Sequence, residues 1–491
     1  MSGQLKHLGK HTLVYTAGII IGKVASFVML PVYTRFLTPA DYGVLELLGM
    51  TIDVISMIAS IGIVTGVFKF YSDQSDQKGK NAVISTAAIS AIGLAAATSL
   101  LGLVAAPALT RLIFKSQGNS LYLQMYFVIY FLQTLEYIPY MLIRAENRSV
   151  LFVILNVGKL VLTLSLNILF LVYLKMGIEG VLIANIIATS TSALILTSYM
   201  VRRVGLTFSR DSFRNLLRFG TAIVPWSLAS FVLVFSDRFF LNYYTNTATV
   251  GIYSLAYKFA FLLSVLAYTP FETLWASQRF EVAKQPDAPQ VFGRVFFYVN
   301  VILGAIALVI CLYIRDFLTV MSAPAFRPAY RLVPLLVAAQ VVFVWGAYWQ
   351  TGIYLREKTH VMASGAVVLV AVTFLLNFLL IPWIGAFGAA WATIGAYTVR
   401  FLWIYLFAER YYPTHYNWGE TVRLFAVYAA AVALKFAYHP ATMAASLAYS
   451  TVLLAIALVV VFRATLSPSD RAGLRGMFDS FAARAGLRQA A

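Results

Sequence analysis

The sequence predicts an all-α polytopic membrane protein with about 14 transmembrane helices. Hydrophobic residues make up 61% of the 491 positions, charged residues only 11%, and the mean hydropathy is +0.81. A water-soluble protein carries about 25% charged residues. The apolar residues also form many runs long enough to span a membrane, since about 20 residues in a helix cross a hydrocarbon core of about 30 Å. Most of the molecular surface is therefore expected to face lipid.

The apolar runs are separated by Gly, Pro and charged clusters, which predict the helix breaks. Fourteen runs lie near residues 12–34, 43–70, 82–105, 121–143, 151–174, 179–200, 216–241, 250–275, 294–314, 331–354, 361–381, 385–408, 421–438 and 443–462. The thirteenth run is short and contains Lys435. The predicted organisation is a six-helix bundle at 1–200, a cytoplasmic linker at 201–215, a second six-helix bundle at 216–408, two extra helices at 409–463 and a basic cytoplasmic tail at 464–491.

The positions of Lys and Arg predict the orientation in the membrane. With the N-terminus inside, the inner segments collect 24 basic residues and the outer segments 7. This asymmetry places both termini in the cytoplasm and the chain in the cytoplasmic (inner) membrane. The net charge of +18 does not indicate nucleic-acid binding, because no basic stripe alternates with stacking aromatic residues. Cys311 is the only cysteine, which excludes an intramolecular disulfide.

Two halves of the chain share landmarks at offsets between 203 and 212 residues, which corresponds to six predicted helices. Repeated halves are common in secondary transporters, and six being even predicts parallel halves related by an axis along the membrane normal. The paired landmarks are Arg35-Phe36 with Arg238-Phe239, Gly43 with Gly251, Asn167 with Asn377, and Gly177-x-x-Gly180 with Gly385-x-x-Gly388.

The segment from Leu30 to Gly43, LPVYTRFLTPADYG, resembles the signature at the first outer loop of Wzx-type polysaccharide flippases, members of the multidrug/oligosaccharidyl-lipid/polysaccharide exporter superfamily. The repeated glycine step and the plan of six, six and two helices are similar to that family as well. The resemblance implies an alternating-access carrier that moves a polyprenyl-diphosphate-linked oligosaccharide to the outer leaflet for cell-surface polysaccharide synthesis. It implies no cofactor, leaves H⁺ or Na⁺ coupling open, and suggests membrane lipids and other polysaccharide-assembly proteins as partners.

Ionisable residues inside the predicted helices are candidate functional residues, because charges at membrane depth are costly unless they are paired or hydrated. Lysine ammonium groups suit the diphosphate. The candidate substrate-binding set is Lys258, Lys23, Lys159, Arg35, Arg238, Asn156 and Asn167. The candidate coupling or counter-ion residues are Asp53, Glu46 and Glu136.

A second interpretation of the same charges remains open from the sequence. Lys159 and Glu136 lie at similar depths in neighbouring predicted helices, as do Lys23 and Asp53, so each pair could instead be an ion pair between helices. For Lys258, Glu46 is the one acidic residue at a similar membrane depth that could form such an ion pair. Helical spacing of 3, 4 and 4 residues places Asn156, Lys159, Thr163 and Asn167 on one helix face, which predicts a wet cavity or a helix–helix seam.

Two other functions also remain open. A drug or cation antiporter of the same superfamily would use carboxylates such as Asp53 and Glu136, but the deep lysines would repel a cationic substrate. A membrane glycan polymerase or ligase would normally need a large outer domain, and no predicted outer loop exceeds roughly 20 residues. The sequence contains no P-loop, no His-Glu-x-x-His and no Ser–His–Asp arrangement, so no enzymatic activity is predicted.

Overall fold

The computed structural model describes residues 27, 29–60, 62–358, 360–414, 416–465, 468 and 471. Within these residues the regular structure is helical. The fifteen α-helices are α1 (Leu30–Phe36), α2 (Pro39–Ala59), α3 (Ile63–Ser72), α4 (Gln77–Phe114), α5 (Ser120–Ala145), α6 (Ser149–Asn167), α7 (Gly177–Val204), α8 (Arg210–Tyr244), α9 (Thr247–Leu263), α10 (Thr269–Val282), α11 (Ala288–Met321), α12 (Val333–Leu355), α13 (His360–Tyr411), α14 (Trp418–Ala437) and α15 (Met443–Val460).

Short segments of other helix types extend or connect these helices. The π-helical segments Ile168–Tyr173, Ser264–Tyr268 and Val461–Thr465 continue α6, α9 and α15, and a 3-10 helix covers Pro324–Arg331. The described residues contain 11 helices that are long and apolar enough to cross a membrane. The chain is therefore a multi-pass membrane protein, which confirms the predicted all-helical polytopic class.

Three of the predicted runs are divided or joined differently in the observed helices. The run at 43–70 is interrupted, because α2 ends at Ala59 and α3 begins at Ile63. Gly62 lies in this break with φ +66°, and a Cβ atom there would approach the Gly220 carbonyl oxygen to 2.5 Å. The runs at 361–381 and 385–408 are joined in α13, which is kinked where Ile384 and Gly385 have non-helical dihedral angles.

The segment from Leu30 to Gly43 forms the junction between α1 and α2. Thr38 ends the extended turn and caps α2: its hydroxyl oxygen accepts from the Asp41 backbone N–H at 3.2 Å, while the Asp41 carboxylate accepts from the Thr38 N–H at 2.9 Å. Pro39 occupies the first helical position, where no intrahelical N–H donor is required. The local sequence therefore accounts for the sharp helix start.

The chain divides into two compact units. The first comprises residues 1–254, 321–326 and 366–393, and the second comprises residues 255–320, 327–365 and 394–491. In the first unit, α2, α4, α5 and α7 share one apolar core, which includes Leu48, Phe127 and Leu182. In the second unit, α11, α14 and α15 share a core around Leu312 and Tyr428.

Two pairs of repeat landmarks share the same backbone geometry within the first unit. Gly43 of α2 and Gly251 of α9 approach each other so closely that a Cβ atom on Gly43 would overlap the Thr247 carbonyl oxygen, and one on Gly251 would overlap that of Pro39. Gly177 and Gly385 both have positive φ, at +59° and +55°. These two pairs of landmarks therefore share local backbone geometry, and the six-helix repeat stays a prediction.

Gly43→Ala is expected to lower the thermal stability and membrane abundance of the protein. The added methyl group would overlap backbone rather than a flexible side chain, and such overpacking costs about 1–3 kcal/mol. Gly93→Ala is the matched control, because no atom lies within 4 Å of a Cβ built at this position in α4. Equal melting temperatures for the two variants, measured by fluorescence in detergent, would contradict the proposed close contact.

Candidate sites among the membrane-spanning helices

Lys159 and Glu136 form an ion pair between α6 and α5. The Lys159 Nζ lies 2.5 Å from the Glu136 Oε2. The Glu136 side chain is 7% exposed, whereas the Lys159 side chain is 24% exposed, so the ammonium group is the more accessible partner. The structure therefore brings together one candidate substrate-binding residue and one candidate counter-ion, as the ion-pair interpretation expects.

The other polar residues on the same face of α6 bond largely to their own helix. The Asn156 and Asn167 amide groups donate to the carbonyl oxygens of Phe152 and Thr163, both at 2.8 Å. The Thr163 hydroxyl donates to the Lys159 carbonyl oxygen, also at 2.8 Å. The Asn167 Oδ1 is fully buried and accepts no hydrogen bond from the described residues. This face can therefore offer an acceptor at Asn167 and a cation at Lys159.

The remaining predicted site residues that the structure describes lie on other helices. Arg35 is exposed in the last turn of α1. Glu46 is half-buried and Asp53 exposed on one face of α2, and Lys258 is half-buried in α9. Lys23 lies outside the described residues, so its pairing with Asp53 stays a prediction.

Arg238 is buried in the C-terminal part of α8. The residue is 2% exposed, and its Nη1 donates to the Asp237 Oδ1 at 2.6 Å. The second Asp237 oxygen accepts from the Tyr253 hydroxyl at 2.6 Å and from the Thr393 hydroxyl at 3.4 Å. The Arg238 guanidinium therefore balances a buried carboxylate, and its role in substrate binding stays a prediction.

Asp237 was not singled out by sequence reasoning, although it is one of the most buried carboxylates in the first unit. The signal was available as two adjacent ionisable residues, Asp237 and Arg238, in an otherwise apolar stretch. Nearby, the Asn377 Oδ1 is buried without a hydrogen-bond donor among the described residues. Asn377 is the repeat counterpart of Asn167, so both halves place a buried amide acceptor at the matched position.

The second unit contains a chain of buried polar side chains that the sequence did not indicate. The Ser264 hydroxyl donates to the Gln340 Oε1 at 2.9 Å, and the Gln340 amide donates to the Tyr257 hydroxyl at 3.2 Å. The Tyr257 and Tyr397 hydroxyls lie 3.2 Å apart. Hydroxyl and amide groups joined in this way can both donate and accept hydrogen bonds.

Two of the arginines in helices of the second unit, Arg279 and Arg400, make contacts inside the protein. Arg279, expected in an inner loop, is buried in α10, with its Nη1 3.5 Å from the Glu272 Oε1 and its guanidinium 5.0 Å from the Tyr354 ring centre. Arg400 of α13 donates to the Phe343 carbonyl oxygen at 3.3 Å. Arg279 was missed because α10 continues to Val282, beyond the apolar run at 250–275. Arg400 lies inside the run at 385–408 and was not singled out there. No group of three or more potential metal-ligating side chains occurs among the residues that the structure describes.

The sequence profile of the polysaccharide biosynthesis protein family matches residues 8–275, which is more than half of the chain. The chain belongs to this family. No curated protein matches its sequence. The match confirms the family suggested by the Leu30–Gly43 segment, and it covers the whole first half of the predicted repeat.

Solved structures show that this family member has the fold of known membrane transporters. The lipid II flippase MurJ in an inward closed conformation has a TM-score of 0.70 at 12% identity, with 92% of this chain and 99% of that chain covered. An inward-facing multidrug resistance MATE transporter of the MOP superfamily has a TM-score of 0.62 at 17% identity, covering 79% and 95%. The Vibrio cholerae MATE transporter VcmN in the bent form has a TM-score of 0.54 at 15% identity, covering 83% and 97%. At these identities the likeness establishes the fold.

Glu136→Gln is expected to reduce the stability of this family member, because Lys159 then lacks its counter-ion. Breaking a buried ion pair costs about 3–5 kcal/mol, and the partial exposure of Lys159 places the expected loss below that range. The exchanged pair, Glu136→Lys with Lys159→Glu, should restore the melting temperature. Restored stability together with restored transport would indicate a purely structural pair, whereas restored stability without transport would place Lys159 or Glu136 at the substrate or coupling ion.

Proposed function

We propose that the chain is an alternating-access flippase that moves a polyprenyl-diphosphate-linked oligosaccharide from the inner to the outer leaflet of the cytoplasmic membrane. The observation that carries this proposal is the match of residues 8–275 to the polysaccharide biosynthesis protein family. The fold shared with a lipid II flippase supports it, because that substrate class also has to be turned across a bilayer. The lipid-linked oligosaccharide delivered to the outer leaflet would be used for cell-surface polysaccharide synthesis.

Cations within the helices provide the chemistry that a diphosphate needs. Lys159 and Lys258 are both half-buried, so each is screened from bulk water without being sealed in the core. Charge-assisted hydrogen bonds to phosphate are about twice as strong as neutral ones. Lys258 is the leading candidate for the diphosphate, and Lys159 is the second, with Glu136 setting its position in the absence of substrate.

We infer fourteen membrane helices for this function, arranged as six, six and two. The three helices beyond the 11 candidate spans are the predicted run at 12–34, the part of α13 that follows its kink, and α14, whose end turns contain Glu420, Arg423 and Lys435. The N-terminus is inside, and the domain boundaries are those predicted from the sequence. Coupling to H⁺ or Na⁺ would use the carboxylates Asp53, Glu46 and Glu136.

The proposal is tested by deletion of the gene in its own host, followed by complementation. Loss of surface polysaccharide, together with accumulation of the lipid-linked oligosaccharide in the inner leaflet, is the expected result. Restored surface polysaccharide on expression of the chain completes the test. Normal surface polysaccharide in the deletion strain, with increased retention of cationic drugs, would contradict the proposal and favour the antiporter.

A further inference from the structure

A groove opens on the first unit between the start of α6 and the last turns of α7. Its volume is about 620 Å³, which lies within the range of about 300–1,000 Å³ typical of sites for small ligands. The lining residues are Arg148, Leu194, Ile195, Ser198, Tyr199, Arg202 and Arg203. None of them belongs to the candidate transport sites described above.

The polar side of the groove carries surplus positive charge. Glu146 is the carboxylate in contact with it, and its two oxygens lie 3.1 Å from the Arg148 Nε and 2.9 Å from the Arg203 Nε. The Tyr199 hydroxyl also donates to Glu146, at 3.0 Å. One carboxylate therefore positions two of the three arginines, while the exposed Arg202 adds a further charge. Each contact through Nε leaves the terminal nitrogens of that guanidinium as donors suited to a phosphate group.

The other side of the groove is apolar and open. Leu194 and Ile195 of α7 are 70% and 51% exposed, on a helix long and apolar enough to cross the membrane. Side chains exposed on such a helix face acyl chains. A ligand filling the groove would thus place an anionic group against arginine and a hydrocarbon chain against leucine and isoleucine. A free phosphate would use only the first of these two surfaces.

We propose that this groove binds an anionic phospholipid, with the lipid phosphate held by Arg148, Arg202 and Arg203 and an acyl chain lying along Leu194 and Ile195. The predicted orientation places the groove at the inner leaflet, which is the leaflet rich in anionic lipid. The bound phospholipid is a resident lipid and not the transported substrate. The proposal therefore goes beyond the proposed function and does not depend on it.

The test uses the purified full-length protein in a neutral detergent, titrated with phosphatidylglycerol or phosphatidylcholine while its melting temperature and its lipid adducts in native mass spectrometry are measured. Phosphatidylglycerol should bind and raise the melting temperature, and phosphatidylcholine should not. In Arg148→Gln/Arg202→Gln the affinity for phosphatidylglycerol should fall about 30-fold, since each basic residue near an anionic lipid contributes about 1 kcal/mol. Arg203 is left in place to hold Glu146.

Arg410→Gln/Arg423→Gln is the matched control, since it removes the same charge from two exposed arginines of the second unit. It should bind phosphatidylglycerol like the natural protein, as should Arg148→Lys/Arg202→Lys to within a few fold. The lysine variant also keeps the test valid if the glutamine variant fails to fold.

Equal affinity for phosphatidylglycerol in the glutamine variant and its control would overturn the site. Full competition by millimolar inorganic phosphate would overturn the lipid assignment in favour of a free anion. A failed export assay would leave all these binding results unchanged.

Discussion

Lys258→Glu is expected to abolish glycan export while the protein remains in the membrane at normal abundance. The substitution places a negative charge where the proposed function needs a cation for the diphosphate. A charge-assisted contact of this type contributes about 1.5–3 kcal/mol, or roughly ten- to a hundred-fold in affinity, and the reversed charge adds repulsion. Lys258→Arg should retain part of the export, because the positive charge persists with different geometry.

Lys284→Glu is the matched control for this charge reversal. Lys284 is exposed in the connector after α10, where it pairs with Glu281 at 2.8 Å. Its reversal should leave export and abundance near normal. Export should be measured as surface polysaccharide in a complemented deletion strain, with membrane abundance determined on the same cells. Full export by a well-expressed Lys258→Glu protein would contradict the role of Lys258 at the diphosphate.

Lys435→Met is expected to cause the largest loss of stability, about 3–5 kcal/mol, because it leaves the buried Asp316 carboxylate without its counter-ion. The Lys435 Nζ lies 3.3 Å from the Asp316 Oδ2 and donates to the Ser446 hydroxyl at 2.7 Å. The same hydroxyl donates to the Asp316 Oδ1 at 2.7 Å. These three residues join α14, α11 and α15. Loss of the Lys435–Asp316 ion pair should therefore detach α14 and α15 from the second unit.

The double variant Lys435→Met/Asp316→Leu should recover most of the stability, since apolar replacement of a buried ion pair is often neutral or favourable. Lys284→Met serves as the exposed control, and its effect should stay within about 1 kcal/mol. Thermal unfolding in detergent is the measurement. A Lys435→Met protein as stable as the Lys284→Met protein would show that the buried pair does not hold these helices together.

The membrane helices were predictable because the apolar runs themselves are the cause of the fold. A run of about 20 apolar residues has few alternatives to a membrane helix. The Lys159–Glu136 pair was also predictable from the sequence, because a short connector between antiparallel helices places residues of equal membrane depth side by side. The repeat was visible because its glycines are required by close backbone contacts, such as that between Gly43 and Gly251.

The buried charges near helix ends could not be predicted in the same way. The apolar run at 294–314 stops short of Asp316, yet α11 continues to Met321 and buries that carboxylate. The partner that makes this burial possible, Lys435, lies more than a hundred residues away, in the thirteenth predicted run. Pairing of this kind is a property of the packed structure, whereas hydropathy is local.

The most direct test of flippase activity is reconstitution of the purified protein in liposomes that contain a labelled polyprenyl-diphosphate oligosaccharide. Access of an external glycosidase to the sugar, followed over time under an H⁺ or Na⁺ gradient, reports movement between the leaflets. A flippase is expected to render the inner-leaflet sugar accessible, whereas the Lys258→Glu variant is not. Equal accessibility in protein-free liposomes and in liposomes with active, correctly folded protein would contradict the proposed function.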